Sequence, residues 1–273
     1  MGSKTIPKLI TFDGEARSGK GTIVQATKDF LRDEHNYNVM LIDRGQTFRT
    51  LVVAAARLGV NLDDAAAIDA FLDNPDNIAS CTQFVKDVYH MAKDERDSLL
   101  YTNEVGENSA KIGARPASQA FVVTLTKKWM HDAADEAFDV VLLDGRALEA
   151  IAREMHAEKL CDYVLGLYFI CDETVGARRT LGFASTQYDD LAEDHRAQVN
   201  EFVAQIKSRN KADMTRDVER LVRPEDAPTV VLPDSPQPEG AHMYIVDTTA
   251  EMTKREMYEP ISRHVADVLN RSR

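Results

Sequence analysis

Apolar residues along this chain gather in short runs that stop at polar turns, separated by longer stretches in which they recur every three to four positions. Leu9, Ile10 and Phe12 form the first run and end at Asp13-Gly14; beyond Gly19-Lys20-Gly21-Thr22, Ile23, Val24, Phe30 and Leu31 return at helical spacing. Val39 to Ile42 is a second run, closed by an Asp43-Arg44-Gly45 turn. Thr47 can cap the helix after it, which carries Arg49, Leu51, Val52, Ala55 and Leu58. Val140 to Leu143, Tyr163 to Ile170 and Met243 to Val246 are further runs, the first and last ending on Asp144 and Asp247. Buried strands alternating with helices predict an α/β fold: three layers, α/β/α, around a parallel sheet of about five strands.

Between the runs the pattern is helical. Residues 61–112 contain few strand-like stretches: Asp63-Asp64 opens an Ala-rich helix, Asn74-Pro75-Asp76 breaks it, and a second helix spans Ile78 to Met91. A helix from Pro116 to Ala137, with Trp129 in the core, follows. Residues 172–223 are helical and rich in arginine, Leu232 to Gly240 is a proline-rich loop, and Met252 to Leu269 is the last helix. The expected organisation is a single domain whose core comprises 1–60, 113–171 and 224–273. An acceptor-binding insert occupies 61–112 and a lid occupies 172–223.

The first run and its sequel carry the strongest chemical signal. Strand, glycine-rich turn, lysine and helix, in that order, make a phosphate-binding loop of the P-loop NTPase type over Gly14, Arg17, Ser18, Gly19, Lys20, Gly21 and Thr22. Glycines let backbone N–H groups turn onto phosphate oxygens, the helix N-terminus adds partial positive charge, and Lys20 reaches the outer phosphates. Thr22 is placed to hold Mg²⁺. Asp144, at the carboxyl end of a central strand, stands where such enzymes keep the acid that orients Mg²⁺ through water, and Arg146 follows it.

Charge changes this picture in one respect. The 273 residues carry a formal net charge of −12, which disfavours nonspecific binding to nucleic acid or to anionic membranes, so a polyphosphate must be held by locally concentrated cations. Those are found at Arg178-Arg179 and at Arg209, Arg216 and Arg220, which together with Asp213 fall at an i, i+4, i+7, i+11 spacing that predicts one helix face. Phosphoryl transfer needs such arginines to neutralise the migrating group and exclude water. Cys81, Cys161 and Cys171 form no C-x-x-C pair, and no apolar run reaches the ~20 residues of a membrane span. Met1-Gly2 lacks the hydroxyl residue a myristoylation motif wants, and no secretory signal is evident. Reduced thiols, no structural metal, a cytoplasmic setting and a monomer are the expectations.

Several motifs together resemble the cytidylate kinases among the nucleoside monophosphate kinases. They are Phe12-Asp13-Gly14 with Ser18 to Thr22; Asp43-x-Gly45-x-x-Phe48-Arg49; Glu104-Val105 and then Pro116; Asp144-Gly145-Arg146; Ile206-Lys207-x-Arg209-x-x-x-Asp213-x-x-Arg216; and Val246-Asp247-Thr248-Thr249. The resemblance spans nearly the whole chain. It implies transfer of the γ-phosphoryl group of Mg·ATP to CMP or dCMP. Lys20 and the loop would bind ATP, with Thr22 and Asp144 around Mg²⁺. Arg49, Arg146 and Arg216, with Asp43, would clamp the acceptor. Arg209 and Asp213 would serve its ribose and phosphate, and Arg178-Arg179 would be lid arginines. The departures from the family pattern are Arg17 for a glycine, Arg44 and Gly106 for serines, Gln119 for an arginine and Ala147 for an aspartate. Phosphate-handling residues are kept while base-reading ones are changed.

Three rival readings stand beside this one, of which the first is a coincidence of letters. Asn210-Lys211-Ala212-Asp213 spells the guanine-reading N-K-x-D of GTPase switches, although that motif belongs after a strand and here lies in a helical stretch. A kinase for another nucleotide or small-molecule acceptor, and a non-catalytic nucleotide-binding relative, are the others.

Overall fold

Strand β1 (Lys8–Gly14) is buried on both faces, as the first apolar run requires. It sits inside a six-stranded parallel sheet ordered β2-β3-β1-β4-β6-β5, where β2 is Val39–Asp43, β3 Val140–Asp144, β4 Asp162–Ile170, β5 Thr229–Val231 and β6 Met243–Asp247. The structure is a computed structural model and describes residues 6–234, 236 and 241–271, so Met1-Gly2 and most of the expected 232–240 loop lie outside the described residues. Five of the six strands are those read from the hydrophobic runs. The sixth, β5, has three residues after Pro228, too few to show alternation, and pairs only with β6.

The helices are α1 (Lys20–His35), α2 (Arg44–Arg57), α3 (Ala65–Asp73), α4 (Pro75–His90), α5 (Lys93–Leu100), α6 (Asn103–Gly113), α7 (Pro116–Asp135), α8 (Glu149–Ala157), α9 (Glu173–Thr180), α10 (Glu193–Thr215) and α11 (Lys254–Arg271). Two local expectations change. Asp43, rather than Thr47, caps α2: its carboxylate accepts the Gln46 N–H at 2.9 Å, which starts the helix at Arg44 where a turn was expected. Thr47 is buried and donates back to the Asp43 carbonyl. Second, α10 ends at Thr215, so Arg216 and Arg220 leave the helix and the expected face of Arg209, Asp213, Arg216 and Arg220 is not formed. The chain turns because Leu221 is pulled into the interior, with its N–H on the Asp213 carbonyl, through Glu219 at a φ of 48°.

The chain divides into two compact units, 1–42 with 130–273, and 43–129. In the first, Phe12 and Phe169 lie parallel at 5.9 Å between centroids, and Ile10, Ile23, Leu31, Leu142, Leu167, Val246 and Ile261 fill the space around them. Each such side chain contributes about 1.5–3 kcal/mol on burial. Helices α1 and α11 are joined by a buried hydroxyl pair, Thr27 with Ser262 at 3.0 Å. The second unit is wider than the 61–112 insert because α2 and α7 supply half its interior: Leu51, Val52, Phe121, Val122 and Leu125 pack with Ile68, Phe71, Cys81 and Ile112. Cys81, Cys161 and Cys171 are buried and free. Among the described residues no helix is long and apolar enough to cross a membrane.

His264 of α11 is buried, edge-on to Tyr244, and burial lowers its pKa. The unfolded chain therefore takes up this proton first, and stability is lost as pH falls through about 6.5, by up to ~1.4 kcal/mol per pH unit. Thermal unfolding should show a midpoint that drops between pH 7 and pH 5, with a smaller drop for His264→Leu. Equal slopes for the two proteins would refute the assignment.

Candidate active site

The phosphate loop begins where β1 meets β4. Gly14 has a φ of 133°, and a Cβ there would stand 2.2 Å from the Phe169 carbonyl oxygen. Glu15 N–H donates to that carbonyl at 2.9 Å, which bends the chain off the sheet. Within the loop, Ser18 Oγ donates to the Glu15 carbonyl and Thr248 Oγ1 donates to the Ser18 carbonyl, both at 2.9 Å. Gly19, at a φ of 79°, starts α1, so Lys20 is its first residue and Gly21 and Thr22 lie exposed in its first turn.

Asp144 is reached through the sheet. In the β1–β3 register Phe12 faces Asp144, so the acid lies beside the strand that launches the loop. Lys20 Nζ pairs with Asp144 Oδ1, both side chains being largely buried. The two strongest signals in the sequence thus meet in one contact.

Asp13 holds these segments in register, a role its position in the sequence did not reveal. Its carboxylate accepts three backbone N–H bonds, from Gly14 at 2.7 Å, Ala147 at 3.0 Å and Leu148 at 2.7 Å. Burial pushes the carboxyl up in pKa, and the N–H donors together with the Lys20 charge oppose that shift. The turn carrying Arg146, with Ala147 at a φ of 57°, is therefore tied to the end of β1.

Arg146 pairs with Asp213 of α10, and Arg216 reaches the same carboxylate at 3.3 Å while donating from Nε to the Glu219 carbonyl at 2.5 Å. Arg216 thus arrives at the cluster from the segment after α10 rather than along its face. Burial, and then the like charges of Arg209 and Arg216, bring Arg146 down to about 9, which leaves it cationic at neutral pH. Arg209 lies exposed on α10.

Arg178 and Arg179 are occupied elsewhere. Arg178 is buried, bonding Glu251 at 2.9 Å and the Ala184 carbonyl at 3.3 Å. Arg179 donates to the Thr248 and Ala250 carbonyls at 2.7 and 2.6 Å. Both fasten α9 to the segment after β6. In the second unit, Arg49 donates to the Leu100 carbonyl at 3.0 Å and lies over the Tyr101 ring at 4.8 Å.

A fold and a phosphate loop do not distinguish one acceptor from another. Comparison with known proteins narrows the field: a family model described as cytidylate kinase matches residues 10–236. The chain belongs to the cytidylate kinase family. The cytidylate kinase of Brucella suis biovar 1 (strain 1330) is 28% identical over 224 residues, covering 81% of this chain and 83% of its own. Those of Brucella ovis (strain ATCC 25840 / 63/290 / NCTC 10512) and Brucella abortus (strain S19) match to the same extent. This cytidylate kinase relative is accordingly an ATP-dependent phosphotransferase of the nucleoside monophosphate kinase class. In this kinase the N-K-x-D residues Asn210 to Asp213 lie inside α10, not after a strand as the switch motif requires.

The positions at which the kinase departs from the family pattern have structural consequences. Arg44 is among the largest fully buried side chains, at the start of α2. Gln119 is buried and donates from Nε2 to the Gly113 carbonyl. Ala147 offers only its N–H, to Asp13.

Proposed function

We propose that this kinase transfers the γ-phosphoryl group of Mg·ATP to CMP or dCMP, giving ADP and the nucleoside diphosphate. The reading is supported chiefly by a family match whose bounds, residues 10–236, take in both the phosphate loop and the arginine-bearing α10. Lys20, Ser18, Gly19, Gly21, Thr22, Gly14 and Arg17 form the ATP side of the site. Lys20 exchanges its bond to Asp144 for one to the outer phosphates, and the amides opening α1 face the phosphate oxygens.

Mg²⁺ in such sites keeps several waters and takes one or two protein oxygens, and the Thr22 hydroxyl with the Asp144 carboxylate fits that donor set. When bound, it neutralises charge on the phosphates. The remaining chemistry is positioning. Arg146 and Arg216, with Arg209 and Asp213, hold the acceptor phosphate and ribose in line with the donor. Residues 172–223, which carry Arg178 and Arg179, shield the site from water, with α9 already fastened to the segment after β6. No covalent intermediate is required.

Coupled ADP release with Mg·ATP against CMP, dCMP, UMP, AMP, GMP and dTMP tests the assignment. Selective stimulation by CMP or dCMP is the expected result. Stimulation by a different nucleotide would transfer the same mechanism to that acceptor, a reading favoured by Gln119 and Ala147 at base-reading positions; silence across the panel would overturn a nucleotide acceptor altogether.

A further inference from the structure

The phosphate loop is fastened to α10 at Ala16 and Arg17, two residues given no role in the chemistry above beyond Arg17's place in the loop. Ala16 N–H donates to Asn210 Oδ1 at 2.8 Å, and this bond is buried. The Arg17 guanidinium lies over the Phe202 ring at 5.1 Å. The Ala16 methyl packs with Ala177, Val199 and Ile206. Phe202, Ile206 and Asn210 are spaced by four and share one face of α10, and Asp213 continues that face one turn on. Arg17 adopts a φ of 60°, a conformation unfavourable by roughly 1–2 kcal/mol for a residue with a side chain, in which its guanidinium covers Phe202. A Cβ at Gly176 of α9 would approach the Arg17 carbonyl oxygen to 2.9 Å, so the absence of a side chain there makes room for the loop.

We infer that Asn210 is a positioning residue: with Phe202 it ties α10 to the phosphate loop, so that filling of the loop by ATP and placement of Asp213 and Arg146 on the acceptor occur together. The amide oxygen of Asn210 takes the Ala16 N–H out of the set that can face phosphate and fixes its direction. A rigid helix then carries that direction about one turn along to the carboxylate that holds Arg146. Neither Asn210 nor Phe202 touches a reacting atom.

The inference rests on the reading of the loop as the ATP site and of Asp213 with Arg146 as acceptor residues. Its test is calorimetric titration with the non-hydrolysable analogue AMP-PNP, with and without CMP or whichever monophosphate the panel selects. The wild type should bind the analogue more tightly with acceptor present, by ~5-fold or more, the usual range for coupled sites. Asn210→Leu, which keeps the branched shape and loses the acceptor oxygen, should bring this ratio close to 1 and lower kcat more than it raises KM. Asn210→Asp, which can still accept the Ala16 N–H, should restore both. Phe202→Leu, which keeps the apolar cover of Ala16 and loses the ring face, should reduce the ratio on its own and serves if Asn210→Leu does not fold. A wild-type ratio retained in Asn210→Leu and Phe202→Leu, or an Asn210→Asp protein as uncoupled as Asn210→Leu, overturns the inference. If the wild type binds no AMP-PNP, or no nucleotide stimulates ADP release, it is the underlying assignment that has failed.

Discussion

Replacing Arg146 by alanine should lower turnover by ~10²–10³-fold, or about 3–4 kcal/mol of transition-state stabilisation, while AMP-PNP binding changes little. The asymmetry follows from the contacts. Arg146 bonds Asp213, and its turn is held by Asp13, whereas the loop and Lys20 are supported by β1, β4 and Thr248. Loss of the guanidinium leaves Asp213 with Arg216 as a partner, so the fold survives while one charge at the acceptor is lost. Steady-state kinetics beside calorimetric titration decide the matter. An R146A enzyme turning over within a few-fold of wild type would remove Arg146 from the acceptor clamp, and a parallel collapse of AMP-PNP binding would make its role structural.

Gly14→Ala should be among the most damaging single-atom changes in the chain. The new methyl carbon would lie 2.2 Å from the oxygen and 2.5 Å from the nitrogen of Phe169, and both are backbone atoms of a central strand that no rotamer can move aside. Strain at a φ of 133° adds to the clash. Together they should cost roughly 3 kcal/mol or more, out of a total stability of about 5–15 kcal/mol, and lower the melting midpoint by on the order of 10 °C. Gly182→Ala is the matched control, since Gly182 has a φ of 86° and open space where the methyl would go, so it carries the strain alone. If G14A melts within 2 or 3 °C of G182A (~1 kcal/mol at this chain length), the close approach of β1 to β4 is not what requires glycine.

Elements whose signal is local could be read from the chain. The β1–loop–α1 unit depends on Leu9 to Phe12, three glycines and a lysine within fourteen residues, and the break at Asn74-Pro75 was legible too, although Asn74 caps α4 and starts it at Pro75, three residues before the expected Ile78. Asp144 was legible because an apolar strand preceded it. What escaped is set by residues far apart in sequence. Periodicity carried the arginine face past Thr215, whereas burial of Leu221 and its bond to Asp213 end the helix there without glycine or proline. Arg178 and Arg179 read as available cations; their partners Glu251, Thr248 and Ala250 lie about seventy residues on. Asp13 read as the first half of a turn, because nothing near it in the chain announces that Ala147 and Leu148 will present their N–H groups to it.

The Lys20–Asp144 and Arg146–Asp213 pairs give the two cations proposed to meet phosphate counter-ions within the fold. On that assignment binding is an ion exchange: a phosphate oxygen gains Lys20 or Arg146 by displacing a carboxylate. A singly or doubly charged anion has little to offer in that exchange, while a polyphosphate, which brings several negative charges in a fixed array, can displace more than one carboxylate in a single event. In a chain with a net charge of −12, this arrangement would favour multivalent ligands over the abundant small anions.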